Sequence, residues 1–324
     1  MNDIIIRKVC ENDVQELERL YENVWPEVKF DKKAKAEFVV KKSEGVSYCA
    51  EDNGRIVGSR TSFYVNMYYG TRPLQCVQCG DSCVDSAYRG KGLFLKMNKA
   101  FLKDYFQTGD LIYNISVYAS KKAYEKLGWH YIESLMLLRK ICRPFHTLQK
   151  IKGDIRKLGG DIEWDLNQLE FSIDDELLEK REKILSNQLS LHVRYNGDII
   201  RWRQKSYSGI RCLKIDGVGA MIYKKGKRER LNVIEIGEIF LKDYCPSNFK
   251  EMMKEIKKRL SPDIIMVMVS LGHPLFSYYK KSGFWHNPRQ KYLYHGTRVE
   301  TEEMKKIAEN PLNWAISSLD IDTF

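Results

Sequence analysis

The stretch VDSAYRGKGLF, residues 84–94, decides how this chain is read. It ends LQCVQCGDSCV (74–84), whose alternating small and apolar residues predict a strand, and it runs straight into KGLFLKMNKAFLKDYF (91–106). There Leu93, Leu95, Met97, Phe101, Leu102 and Phe106 fall at helical spacing. A strand that turns on Gly90 and Gly92 into a helix leaves several backbone N–H groups at the first turn without acceptors, all aimed one way. Such a cradle suits phosphate oxygens: the helix dipole adds partial positive charge, and Arg89 and Lys91 add two full ones. The tetrad RGKG also suits an ordinary surface turn, so the neighbouring elements must decide.

Towards the N-terminus, IIIRKV (4–9) predicts a strand and VQELERLYENVW (14–25), preceded by Asp13, an amphipathic helix. VSYCAEDNGRIVGSRTSFYVNMYYG (46–70) reads as two antiparallel strands joined at Asp52-Asn53-Gly54. Towards the C-terminus come a strand, LIYNISVY (111–118), a short helix, SKKAYEKLG (120–128), and a closing strand, WHYIESLMLLRKI (129–141). This order predicts an α/β (α+β) fold, a mixed and mostly antiparallel central sheet flanked by helices.

Residues 144–175 carry Pro144, Gly153 and Gly159-Gly160 and read as a linker or a transitional strand pair. The pattern then restarts. A helix, ELLEKREKILSNQ (176–188), leads to strands in IRCLKIDGVGAMIYKK (210–225) and LNVIEIGEIFLKD (231–243). A helix over 247–260 with Ser247 as N-cap and a buried strand, IIMVMVSL (264–271), follow. HPLFSYYKKSGFW (273–285) then echoes ASKKAYEKLGW (119–129): Tyr124 stands four residues before Gly128-Trp129, and Tyr279 four before Gly283-Phe284. One fold occurs twice in this reading. The first domain is 1–143 and the second 176–324, and the second has KDYCPSNF (242–249) where the glycine turn would be.

Composition narrows the function. The 324 residues are 43% hydrophobic and 12% aromatic, enough for packed cores. No apolar run approaches the roughly 20 residues that span a bilayer, and the N-terminus does not read as a secretory signal, so a soluble cytoplasmic protein with no membrane partner is expected. The net charge of +11 calls for an anionic partner. Its lysines and arginines are spread out, in runs such as KKGKRER (224–230) that read as solvated faces, and no nucleic-acid-binding signature accompanies them. Cys76 and Cys79 form a CxxC with no second pair of ligands. With Cys83 they read as buried reduced thiols, and no metal is expected.

The glycine turn resembles the acetyl-CoA-binding motif of the GNAT (GCN5-related) N-acetyltransferase superfamily. Of the form V-x-P-x-Y-R-G-K-G, Val84, Tyr88, Arg89, Gly90, Lys91 and Gly92 match, and Ser86 replaces the usual proline. AYEKLGW is similar to the family's second signature at Tyr124, Gly128 and Trp129. The asparagine that often opens that helix is missing, with Val117 or Tyr118 near its place. The resemblance covers roughly residues 3–140 and, more faintly, 176–296. It implies two GNAT-like domains, the second degenerate, and in the first a cleft where the fourth and fifth strands splay apart. Acetyl-CoA would be the co-substrate. Its pantetheine arm would lie along Ser82, Cys83 and Val84, and its pyrophosphate on the amides of Arg89, Gly90, Lys91, Gly92, Leu93 and Phe94. An amine would attack the thioester directly, with a backbone N–H near Val84 polarising the carbonyl.

Two side chains carry chemistry in that picture. Tyr124 is implied as proton donor to the departing thiolate, although a core aromatic on an amphipathic helix would look the same. Asp81 is the best carboxylate for a base, although it could equally cap a bulge at Gly80. Asn114 and Ser116 orient substrate or face solvent. Arg201 and Trp202, in the aromatic-basic stretch 194–207, belong to an acceptor wall or to cation–π packing within a domain. Neither His130 nor His273 has a partner at triad spacing. The implied reaction moves an acetyl group to the primary amine of a small molecule, such as an aminosugar or aminoglycoside. Acetylation of peptide lysines and a non-catalytic CoA-binding regulator are the alternatives, and the oligomeric state is left open.

Overall fold

The computed structural model describes the chain apart from residues 1–3, 28–30, 43–44, 107–109, 118–119, 155–157, 159–160, 168, 207–208, 288–292 and 322–324. The chain forms two compact units. The first is Met1–Met67, Pro73–Glu133 and Tyr292–Asn310; the second is Tyr68–Arg72, Ser134–Lys291 and Pro311–Phe324.

The first unit contains β1 (Ile5–Lys8), α1 (Val14–Val24), α2 (Lys32–Lys42), β2 (Tyr48–Asp52), most of β3 (Arg55–Tyr69) and β4 (Arg72–Val84), α3 (Leu93–Tyr105), β5 (Leu111–Val117), α4 (Lys121–Glu125) and β6 (His130–Tyr131). To these it adds β14 (Leu293–Arg298) and α10 (Glu302–Ala308) from the far end of the chain. The sheet order is β1-β2-β3-β4-β5-β14-β6. The hairpin at Asn53-Gly54 forms as expected, both residues at positive φ (51° and 79°). On one face Leu93, Met97 and Phe101 of α3 pack with Val57, Val77, Cys79 and Ile112. On the other, Leu17, Leu20 and Tyr21 of α1 and Ala36 and Val39 of α2 pack with Cys49, Ile56 and Cys83. α2 was not legible in the sequence, because its apolar residues are scattered among lysines.

The second unit contains β7 (Leu135–Ile141), α5 (Pro144–Lys150), β8 (Glu163–Trp164), α6 (Asp175–Asn187), β9 (Leu191–Val193), α7 (Gly197–Ser206), β10 (Arg211–Ile215), β11 (Gly219–Arg228), β12 (Leu231–Leu241), α8 (Pro246–Leu260), β13 (Ile264–Ser270) and α9 (Phe276–Lys281). Its sheet runs β10-β11-β12-β13-β7, with β8 on β11.

Three expectations are corrected here. Residues 129–141 do not form one closing strand: β6 keeps two residues in the first sheet, and β7 lies antiparallel to β13 from Ile141↔Ile264 to Leu135↔Ser270. The place beside β5 goes instead to β14, a pairing so distant in sequence that no local pattern reveals it. The stretch 144–175 is neither bare linker nor a strand pair of its own, since it carries α5 and β8, and β8 pairs with β11; Gly159-Gly160 lies outside the described residues. The N-cap of α8 is Cys245 rather than Ser247, because Pro246, which lacks an N–H, takes the first helical position.

The echo between the halves has a physical counterpart. In the first unit Trp129 N–H donates to Tyr124 O (3.2 Å) and the two rings meet edge to face at 4.9 Å; Phe284 and Tyr279 repeat this at 3.2 and 5.1 Å. In each unit the strand ahead of the long helix pairs in parallel with the next strand over four residues and then stops. The pairs run Cys76↔Leu111 to Cys79↔Asn114 and Val233↔Ile264 to Ile236↔Val267. Gly80-Asp81 follows the first ladder and Gly237-Glu238 the second.

Beyond its ladder, β13 is taken up by the chain's own C-terminal segment. Val269 bridges Ser317, Ser270 N–H donates to Ile316 O (2.9 Å), and Met268 N–H donates to Ser318 Oγ (2.9 Å). Residues 314–321 are buried throughout, and Ser318–Asp320 pack on β12. Glu238 sits in that interior with Arg181 (3.1 Å) and His273 (3.2 Å), and Tyr195 donates its hydroxyl proton to Asp320.

Candidate coenzyme and acyl-transfer site

In the first unit β4 and β5 part after Cys79 and Asn114. The bend is built into β4: Asp81 has φ 41°, a left-handed conformation that is strained for residues with a side chain and tolerated best by Asn and Asp. Past it, Cys83 packs with α1 against Leu17 and Tyr21, while Val84 packs with α3. Burial raises the Cys83 thiol far above its ordinary pKa, so this cysteine is core filler. Cys76 and Cys79 are buried strand residues as well. Among the described residues, no three His, Cys, Asp or Glu side chains converge as a metal site.

The glycine turn is open. Gly90 and Gly92 have φ 79° and 70°, and a Cβ at either would meet no atom within 4 Å. Gly92 is the N-cap of α3 in left-handed conformation, and Arg89, Gly90, Lys91 and Gly92 are all exposed. The amides from Gly90 to Phe94 find no acceptor among the described residues. The turn is held from behind: Asp85 accepts from Ala87 N–H (3.0 Å), Arg89 Nε donates to Val84 O (3.2 Å), Tyr88 Oη donates to Asp52 (2.7 Å), and Lys91 lies 4.3 Å over the Tyr88 ring. A rigid turn with unpaired amides facing outward can bind a diphosphate without paying to order itself.

Between the parted strands, on the α3 face, polar side chains are buried among aromatics. Strand alternation puts Asn114 and Ser116 on the face of Ile112. Both amide atoms of Asn114, 1% exposed, and the hydroxyl of Ser116 lack a hydrogen-bond partner among the described residues. Buried polar groups are normally paired, so a row of unpaired ones marks a place where a ligand can complete them. Tyr124 on α4 is 3% exposed; its ring meets Phe94 edge to face (5.6 Å, 90°) and stacks on Tyr294 (5.5 Å, 14°).

Three residues that the sequence did not single out complete this region. Arg60, wholly buried on β3, donates to Asn98 Oδ1 (2.7 Å) and Ser82 Oγ (3.2 Å), with its guanidinium 5.9 Å from the Tyr124 ring. An arginine inside VGSRTSF was the available signal for it. Tyr294, opposite Ser116 in register, is wholly buried with its hydroxyl unpartnered; burial raises its phenol far above the usual range, so it stays protonated. Lys35 on α2 forms an ion pair with Asp81, both side chains largely buried. Nothing in the local sequence announces Tyr294 or Lys35.

The structure thus gathers Asp81, Ser82, Val84, the turn 89–94, Asn114, Ser116 and Tyr124 in one unit. Arg201 and Trp202 lie on α7 of the other unit; Arg201 is exposed and paired with Asp198 (2.5 Å), and the Trp202 side chain lies outside the described residues, as does Tyr118. Of the same stretch, Tyr195 and Arg203 are internal: Arg181 lies 4.5 Å over the Tyr195 ring, and Arg203 donates to Ile321 O (2.9 Å). His273 is held by Glu238, and His130 is half exposed near Glu309 (3.9 Å).

Comparisons agree with this architecture. A GCN5-related N-acetyltransferase from Anabaena variabilis superposes with TM-score 0.64 at 11% identity, covering 92% of this chain and 73% of that one. One from Kribbella flavida gives 0.61 at 11%, covering 92% and 71%. A structure from Pyrococcus horikoshii gives 0.53 at 13%, covering 98% and 95%. No curated protein sequence matches the chain. Residues 5–132 match the family model described as acetyltransferase (GNAT) domain. Residues 5–132 thus match a GNAT acetyltransferase domain, and the fold over most of the chain is like that of the GNAT structures.

Proposed function

We propose that the first unit binds acetyl-CoA and transfers its acetyl group to the primary amine of a small molecule, an aminosugar or aminoglycoside being the class in view. The observation that carries this reading is the parting of β4 and β5 directly beside an open turn of unpaired amides. The turn from Arg89 to Phe94 would take the pyrophosphate, and the parted edges of Ser82–Val84 and Asn114–Ser116 would take the amides of the pantetheine arm. The thioester carbon would then lie near the bend at Asp81. Attack forms the N–C bond and breaks the C–S bond; the sulfur keeps the electron pair and takes a proton from Tyr124, while the amine gives its extra proton to Asp81. Placing the reactants does most of the work. No covalent acyl-enzyme is required. Among the described residues the second unit has neither the glycine turn nor an open strand edge at the corresponding place, which supports one coenzyme per chain.

Acetyl-CoA titration by calorimetry tests the reading. Wild type is expected to bind one equivalent with an affinity of about −8 kcal/mol, in the micromolar range. Gly92→Trp, which puts a bulky group into the open cradle, is expected to abolish the heat while near-ultraviolet circular dichroism stays native. Undiminished binding by that variant would rule out the cradle.

A further inference from the structure

The ion pair between Lys35 and Asp81 puts a primary amine at the carboxylate that stands where the strands part. Asp81 lies next to the parting and faces the α1–α2 side with Cys83 and Tyr21, opposite the α3 face where Tyr124 lies. A nucleophile approaching a thioester in this cleft from the side away from Tyr124 must pass the Asp81 carboxylate, and Lys35 Nζ already occupies that position. The lysine is largely withdrawn from solvent: its side chain is 13% exposed and that of Asp81 17%. Its ammonium also lies 5.6 Å over the Phe38 ring. An amine so enclosed is chemically the same group as the acceptor the proposed reaction needs.

We propose that Lys35 is itself an acetyl acceptor, so that the chain acetylates its own α2 when acetyl-CoA is bound. The inference rests on the coenzyme reading above. Asp81 takes a proton from the Lys35 ammonium. The neutral Nζ attacks the thioester carbon, the C–S bond breaks, and the sulfur leaves with the electron pair and the Tyr124 proton; the second proton of the attacking nitrogen passes through solvent to the Tyr124 phenolate, giving Nε-acetyl-lysine and free coenzyme A. The product carries no charge, so the ion pair is lost, and once Asp81 has given its proton to solvent its carboxylate is released to an external amine. Lys35 thereby guards the base while no acetyl donor has been used, and its acetylation opens the acceptor place.

The test needs no identified acceptor. The full chain is incubated with acetyl-CoA, and acetylation is mapped by mass spectrometry, with the exposed Lys33 on the same helix as internal control for uncatalysed chemistry. One acetyl group is expected at Lys35, ahead of Lys33, and none there in Gly92→Trp. Asp81→Asn, a replacement that tolerates the left-handed conformation, is expected to keep coenzyme affinity and slow the labelling about a hundredfold. Lys35→Arg keeps the ion pair and is expected to remain unmodified at that position. Wild type that binds acetyl-CoA but leaves Lys35 unmodified, or labels Lys35 and Lys33 alike, would overturn this inference alone. Wild type that does not bind acetyl-CoA would overturn the coenzyme reading and the inference with it.

Discussion

Tyr124 and Tyr294 stack almost parallel, yet they reach the site along different routes, one on α4 and the other on the C-terminal strand β14. If Tyr124 delivers the proton to sulfur, Tyr124→Phe keeps coenzyme affinity in calorimetry and slows steady-state turnover about a hundredfold. Turnover at the wild-type rate would remove it from that role. Tyr294→Phe removes a hydroxyl that has no partner among the described residues, so the protein should stay as stable as wild type in urea unfolding. Arg181 and Glu238 are the reverse case: both are buried and each is the other's counter-charge. Glu238→Gln leaves the guanidinium uncompensated and should cost about 3–5 kcal/mol in the same measurement.

At the scale of elements, β14 decides whether the first sheet is complete. It pairs with β5 from Leu293↔Val117 to Arg298↔Ile112, and with β6 on its other side. Gly296 is required there, because the Tyr294 ring lies across it and a Cβ would stand 2.2 Å from a ring carbon. Gly296→Ala must push that ring off Tyr124, so a loss of about 1–3 kcal/mol is expected in urea unfolding, together with a change in the near-ultraviolet signal of the tyrosines. The turn before α3 shows the opposite use of glycine. Gly90 and Gly92 face open space, and their positive φ is what leaves five successive amides without an acceptor among the described residues.

At the scale of the molecule, acid should weaken the two units over different ranges. His295 in the first unit is depressed by burial to about 3, against 6.5 for the free side chain. Below about pH 6.5 the unfolded chain takes up a proton that the folded chain refuses. Stability therefore falls as pH drops from about 6.5 towards 3, by up to about 1.4 kcal/mol per pH unit. Burial would raise the Glu238 carboxyl of the second unit, but His273 and Arg181 outweigh it and hold the group at about 2, against an ordinary 4.5. Its contribution is complete above about pH 4.5 and is lost as pH falls towards 2. Urea midpoints at about pH 7 and about pH 5 should thus differ in wild type and differ less in His295→Gln.

The cradle, the hairpin, the Tyr-Gly-Trp corner and the repeated element order follow from short-range patterns. Glycine φ, helical spacing and N-cap chemistry are settled within a few residues, so the sequence alone determined that a strand, an open glycine turn and a helix succeed one another at 74–106. What the sequence could not determine is which distant segments share a sheet. The exchange of β7 and β14 between units, the burial of residues 314–321 along β13, and the meeting of Lys35 with Asp81 and of Tyr294 with Tyr124 were decided only by tertiary structure. Strand partners and buried charge pairs are chosen by how surfaces fit after the chain has folded back, and any apolar strand of similar length carries the same local pattern.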